Sequence, residues 1–137
     1  IVETRPYDGV ADLLAGLAAR NVPRAVLSNK ADPLVRQIVA RLFAADEFTA
    51  VQGMCPEVPP KPDPQSALDI ASRLGALPGH VLYLGDSDID MQTARNAGMR
   101  AVGAGWGFRG AEELRAAGAS VVLDHPGELL HLIEDDG

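Results

Sequence analysis

The chain has 137 residues, with 19 Asp and Glu against 12 Lys and Arg for a net charge of -7, and it is 47% hydrophobic but only 4% aromatic. That length suits one domain with an aliphatic core, and the acidic balance disfavours a diffuse basic face for nucleic acid or anionic membrane. No apolar run approaches the roughly 20 residues that span a bilayer, and the single cysteine, Cys55, cannot form an internal disulfide, so the cytoplasm is the expected setting.

From the N-terminus, residues 8–20 carry Val10, Leu13, Leu14 and Leu17 at helical spacing after Asp8, a candidate cap. Residues 22–29 then read as an apolar strand ending in Ser28 and Asn29. Lys30 follows, and a helix over 32–43 opens with Asp32-Pro33, where the acid can cap and proline suits the first helical position. A hydroxyl and backbone N–H groups at a strand-to-helix junction can cradle a phosphate oxygen, although Ser-Asn at a strand end is also ordinary turn chemistry.

A strand over 48–53 leads to a proline-rich loop in which Lys61 stands between Pro60 and Pro62. Prolines on both sides stiffen the approach, which makes sense if the ammonium must be aimed at one place; a plain surface lysine is the competing reading. The next helix, 63–75, again opens Asp-Pro and ends at Gly75, a candidate left-handed stop, as is Gly98 for the helix that follows.

The strand at 80–86 delivers Asp86, and Asp88 and Asp90 follow in the first turn of the next helix. Acids there suit the helix dipole, and Ser87 or Asp88 can cap, but a cap needs one residue and not three. Spacing of four, with Gly85 giving a tight turn, can bring Asp86 and Asp90 to one side, where a cation relieves their repulsion. Hard oxygen ligands with spare coordination sites suit Mg²⁺. Strands at 100–106 and 120–125, and helices near 110–118 and 126–135, complete the alternation.

Strands alternating with helices predict an α/β fold, a Rossmann-like three-layer parallel sheet with helices on both faces, in one domain over residues 1–137. Several strands look apolar enough to be buried on both faces, and ligands should sit at their carboxyl ends.

"LSNK", "KPDP" and "GDSDIDMQTARNAGM", in that order and each at a strand-to-helix junction, resemble motifs II, III and IV of the haloacid dehalogenase-like hydrolase superfamily. "AVGAGWGF" and "EELRAAGASVVLDHPGELLHLI" extend the likeness to the C-terminal part of its phosphoglycolate phosphatase group, so that it covers nearly the whole chain. The resemblance implies a Mg²⁺-dependent phosphatase of a small phosphorylated metabolite, in which an aspartate attacks phosphorus and the aspartyl-phosphate is hydrolysed. By position, it implies that Ser28 binds the phosphoryl oxygens with Asn29 supporting that loop. Lys61 would neutralise phosphate and nucleophile. Asp86 would hold Mg²⁺, with Asp90 a ligand at one remove or an orienting group for Asp86 and Lys61. Arg109, beside "GAGWG", is a further candidate to approach the site.

The resemblance also shows what this stretch lacks. The family nucleophile lies in a D-x-D motif on the first strand, and the one lookalike, "PYDGV", has Pro6 in the nucleophile's place. "RPYDGVADLLAGL" instead resembles the segment after the family's cap domain. The expectation is a C-terminal portion, inactive alone, of a longer hydrolase. An N-terminal part supplied separately and a short homologue with a closed sheet are the alternatives. The missing strand should fall between those carrying Ser28 and Asp86, leaving unpaired edges that favour a homodimer. The rival functional reading is an inactive domain that binds phosphate, metal or a partner; a receiver-like binding domain would need its acid pair near a first strand that is absent here.

Overall fold

The computed structural model describes residues 9–106 and 110–136, so Asp8 and Arg109 lie outside the described residues. In chain order the elements are α1 (Val10–Ala19), β1 (Ala25–Ala31), α2 (Asp32–Leu42), β2 (Ala50–Met54), α3 (Gln65–Leu74), β3 (Leu82–Gly85) and α4 (Asp88–Asn96). Then come β4 (Arg100–Ala104), α5 (Ala111–Ala116), β5 (Val121–Leu123) and α6 (Leu129–Asp136). The α/β expectation holds, with every observed strand pair parallel.

Helices cover both faces because side chains alternate along each strand. Tyr83, Ala101 and Val122 pack with Ala67, Ala71, Met91, Ala94 and Leu114 of α3, α4 and α5. Leu82, Leu84, Val102, Val121 and Leu123 pack on the other side with Val10, Leu13, Leu14 and Leu17 of α1 and Leu129 of α6. The predicted α1 stripe is thus buried residue for residue, and each such side chain contributes about 1.5–3 kcal/mol relative to exposure.

The sheet is divided. Among the described residues β1 pairs only with β2, while β3, β4 and β5 form a separate three-stranded ladder, and no ladder joins β1 to β3. That split corrects the expectation of strands buried throughout: β4, flanked on both sides, is almost wholly buried, whereas β1 and β3, each with one unpaired edge, are mostly half-buried. It also fixes the topology. The chain steps outward from β1 to β2, crosses back to β3, and steps outward the other way. The crevice at such a reversal, at the strands' carboxyl ends, is where α/β folds place ligands.

The helix starts differ in mechanism. Gly75 closes α3 in the left-handed conformation at φ 71°, as its position suggested. Asp63 accepts the Gln65 N–H at 2.9 Å from one position before the N-cap, Pro64, so it tightens the turn into α3 without being its cap. Asp32 likewise does not cap α2, whose start has no side-chain cap. Its carboxylate reaches sideways to accept the Gly53 N–H at 2.8 Å and the Arg36 Nε–H at 2.8 Å, while Arg36 donates to the Val51 carbonyl at 2.8 Å. Gly53 is required by this contact, since a Cβ there would lie 2.5 Å from the Asp32 Cα. The carboxylate thus pins α2 to the end of β2.

The Arg36 hydrogen bond, followed by the Gly53 N–H, holds the Asp32 carboxyl below its ordinary value of 3.8. A carboxyl lowered by folding contributes stability above its unfolded value and loses it as pH falls through the folded one. The thermal midpoint of Asp32→Asn should therefore lie below wild type near neutrality, and the difference should close in acid as pH falls through the lowered folded value. A gap that stayed constant from neutrality into acid would contradict this account.

Candidate functional site

At the division of the sheet, hydrogen bonds join Asn29, Lys61, Asp90 and the Asp86 backbone into one path, and Ser28 precedes Asn29 on β1. Ser28, 6% exposed, sits near the end of β1, where its Oγ accepts the Lys30 N–H at 3.1 Å. That contact uses an acceptor lone pair and leaves the hydroxyl proton available to a ligand oxygen.

Asn29, next along the strand, spans to the proline-rich loop. The Lys61 N–H donates to Asn29 Oδ1 at 2.8 Å, and Asn29 Nδ2 donates to the Lys61 carbonyl at 3.2 Å. The amide therefore pairs with both backbone groups of one residue. Its geometry is that of a support for Lys61, and both ends of its side chain are occupied by that task.

Lys61 then turns its ammonium to Asp90, with Nζ 2.5 Å from Oδ1, and the two side chains are only 12% and 11% exposed. Removing both charges from water is costly, so such a pair persists only where further hydrogen bonds offset the loss. Asp90 has them. Its Oδ2 accepts the Asp86 N–H at 3.1 Å and its Oδ1 faces the Tyr83 hydroxyl at 3.5 Å. Its own N–H donates to Ser87 Oγ at 3.2 Å, which identifies Ser87 as the cap of α4. Gly85 makes room for this arrangement: a Cβ there would lie 2.3 Å from that of Asp90.

The three acids thus separate by role. Asp88 stands in the first turn of α4, where the helix dipole favours it. Asp90 is committed to Lys61 and the Asp86 backbone. Asp86, half-buried, has a carboxylate that makes no hydrogen bond or ion pair among the described residues.

Tyr83 is a site residue that sequence reasoning missed. Burial, then the charge of Asp90, raise its phenol well above the ordinary tyrosine range, so it faces Asp90 as a neutral donor. Its place in an apolar strand concealed it; the signal was its alternation with Leu82 and Leu84, which sends it to the α4 side.

The donor chemistry offers Mg²⁺ Asp86 as an uncommitted hard oxygen ligand at the end of β3; the Asp88 carboxylate, in the first turn of α4, likewise makes no hydrogen bond or ion pair among the described residues. Among the described residues no three His, Cys, Asp or Glu side chains gather into a metal-holding cluster. A single carboxylate is compatible with Mg²⁺, which commonly keeps several waters and shares its sphere with substrate phosphate.

A model of the haloacid dehalogenase-like hydrolases matches residues 2–104. The chain belongs to this family. Relatives include the N-acetylmuramic acid 6-phosphate phosphatase of Pseudomonas aeruginosa, 34% identical over 97% of this chain and 59% of the relative. The phosphoglycolate phosphatase of Pectobacterium atrosepticum is 36% identical over 90% of this chain and 53% of its own length. The crystal structure of a protein assigned as a phosphoglycolate phosphatase from Lactobacillus delbrueckii subsp. bulgaricus superposes with a TM-score of 0.87 at 35% identity, covering 93% of this chain and 53% of that one. The chain therefore spans little more than half the length of the haloacid dehalogenase-like proteins it matches, and aligns with the phosphatases among them.

Proposed function

We propose that the full-length protein is a Mg²⁺-dependent phosphatase of a small phosphorylated metabolite, phosphoglycolate phosphatase-like, and that residues 1–137 supply its phosphate-gripping and metal-holding part. The observation that carries this reading is the hydrogen-bonded path from Asn29 of β1 through Lys61 and Asp90 to the Asp86 backbone; Ser28, next to Asn29 in the chain, offers a hydroxyl at one end and Asp86 an uncommitted carboxylate at the other.

In this mechanism Ser28 donates its hydroxyl proton to a phosphoryl oxygen. Lys61, an ammonium with three N–H donors of which Asp90 takes one, has two left for phosphate and the attacking group. Asp86 would hold Mg²⁺, which when bound supplies charge neutralisation for the phosphoryl oxygens. The attacking carboxylate is not among these residues, since the sequence has no D-x-D-G segment. Supplied by the rest of the protein at the division between β1 and β3, it would form an O–P bond as the ester oxygen leaves. Water would then cleave the aspartyl-phosphate to inorganic phosphate, returning the carboxylate. The lone cysteine accords with a cytoplasmic setting.

The same absence supports a second reading, in which this stretch alone binds phosphate, metal or a partner without turnover. Assay of the full-length protein distinguishes them. It should release phosphate from small phosphomonoesters, with phosphoglycolate and N-acetylmuramic acid 6-phosphate tried first, and EDTA should abolish release until Mg²⁺ is restored. Release undiminished by the chelator would refute the metal-dependent mechanism; no release from any phosphomonoester would favour binding alone.

A further inference from the structure

The loop that carries Lys61 is held at more points than its prolines explain. Ser66 of α3 donates to the Pro59 carbonyl at 3.3 Å, Asn29 of β1 takes both backbone groups of Lys61, and Asn96 of α4 donates to the Pro62 carbonyl at 3.0 Å. Asp90, on the same helix as Asn96, grips the other end of the lysine. Residues 59–62 are therefore an arm fastened on one side to the β1–β2 ladder and on the other to the helix that covers β3 and β4.

Where the backbone of Lys61 sits decides where its ammonium can reach. A lysine carries four rotatable bonds, and fixing its head to Asp90 alone leaves the arm free to slide. The paired bonds from Asn29 remove that freedom relative to Ser28, the adjacent residue. The bond from Asn96 removes it relative to α4, and hence to Asp86 at the preceding turn. Together with the Asp90 grip on the ammonium, these two amides fix the Lys61 backbone against β1 and α4.

We propose that Asn29 and Asn96 are positioning residues for Lys61, acting on bound phosphate through the lysine and making no contact with it themselves. This rests on the phosphatase reading of the rim, and Asn96 lies outside the motifs that suggested that reading.

The test is calorimetric titration of the full-length protein with inorganic phosphate in the presence of Mg²⁺. Asn29→Ala, which deletes two hydrogen bonds, should weaken phosphate roughly tenfold, and Asn96→Ala, which deletes one, roughly threefold. The decisive readout is the dependence on Lys61. In a Lys61→Met background both asparagine substitutions should have no further effect, because the group they aim is gone. Wild-type affinity in both single variants would overturn the proposal, as would the same fold-loss in both backgrounds, which would mark direct contact or general damage. If Asn29→Ala fails to fold, Asn96→Ala in the two backgrounds decides. Wild-type phosphate affinity in Lys61→Met would instead fell the phosphatase reading, and this proposal with it; a strong loss there with silent asparagines fells the proposal alone.

Discussion

Replacing Lys61 with methionine in the full-length protein should reduce kcat/KM for a phosphomonoester by about a thousandfold or more, the order of loss seen when a cationic group is removed from a phosphoryl-transfer site. Methionine keeps much of the aliphatic length while deleting the charge, so the effect reports electrostatics and not bulk. Stability should fall as well. Asp90, 11% exposed in its side chain, would lose its counter-ion, and breaking such a pair from one side costs about 3 kcal/mol. The Tyr83 hydroxyl and the Asp86 N–H remain at the orphaned carboxylate, which argues against a larger figure. The double variant Lys61→Met/Asp90→Asn removes the unpaired charge, and should recover most of the thermal stability without recovering activity. A single variant within tenfold of wild-type kcat/KM would mean that Lys61 does not face the reacting phosphate.

Asp86→Asn should behave in the opposite way, losing activity with little change in stability. Its carboxylate makes no hydrogen bond or ion pair among the described residues, so the isosteric amide removes a charge and nothing structural, within about 0.5 kcal/mol. If that charge holds Mg²⁺, turnover at fixed metal should fall about 100- to 1,000-fold and the Mg²⁺ concentration for half-maximal rate should rise steeply. Measuring rate against Mg²⁺ for wild type and variant checks this directly. Unchanged metal dependence would move the cation elsewhere. The contrast between Lys61 and Asp86, one coupled to stability and the other not, follows from geometry that treats the rim acids differently.

Much of the architecture was legible because it is written in short-range patterns. The α1 stripe, the Gly75 stop and the five apolar strands are consequences of periodicity and turn chemistry, and each is found where expected within a few residues. Pro78–His80 form a short 3₁₀ turn that delays β3 to Leu82, which apolarity at Val81 could not foretell. Of the candidate residues, Asn29, Lys61, Asp90 and the Asp86 backbone are joined by hydrogen bonds, while Ser28 bonds only within its own turn. What the sequence concealed is which partner each would choose. Asp32 looks like a cap but reaches across to Gly53, because β2 lies within range of its carboxylate. Asn29 looks like a phosphate-loop residue, yet both ends of its amide are taken by Lys61, 32 positions along the chain. Tyr83 is indistinguishable from a core aromatic until α4 sets Asp90 beside it. Such choices depend on tertiary proximity, which no local spacing encodes.

Two ladders without a common strand also have separate thermodynamic lives. Backbone hydrogen bonds pass cooperativity along a continuous sheet, and among the described residues no ladder carries it between β1 and β3. Side-chain packing by Leu27 and α3 on one face and by Phe43 and Phe48 on the other, with the Lys61 arm, couples the two parts. In this stretch taken by itself, amide protons of Ala25–Ala31 and of Leu82–Gly85 should then exchange through different opening events, so that one segment breathes while the other stays closed.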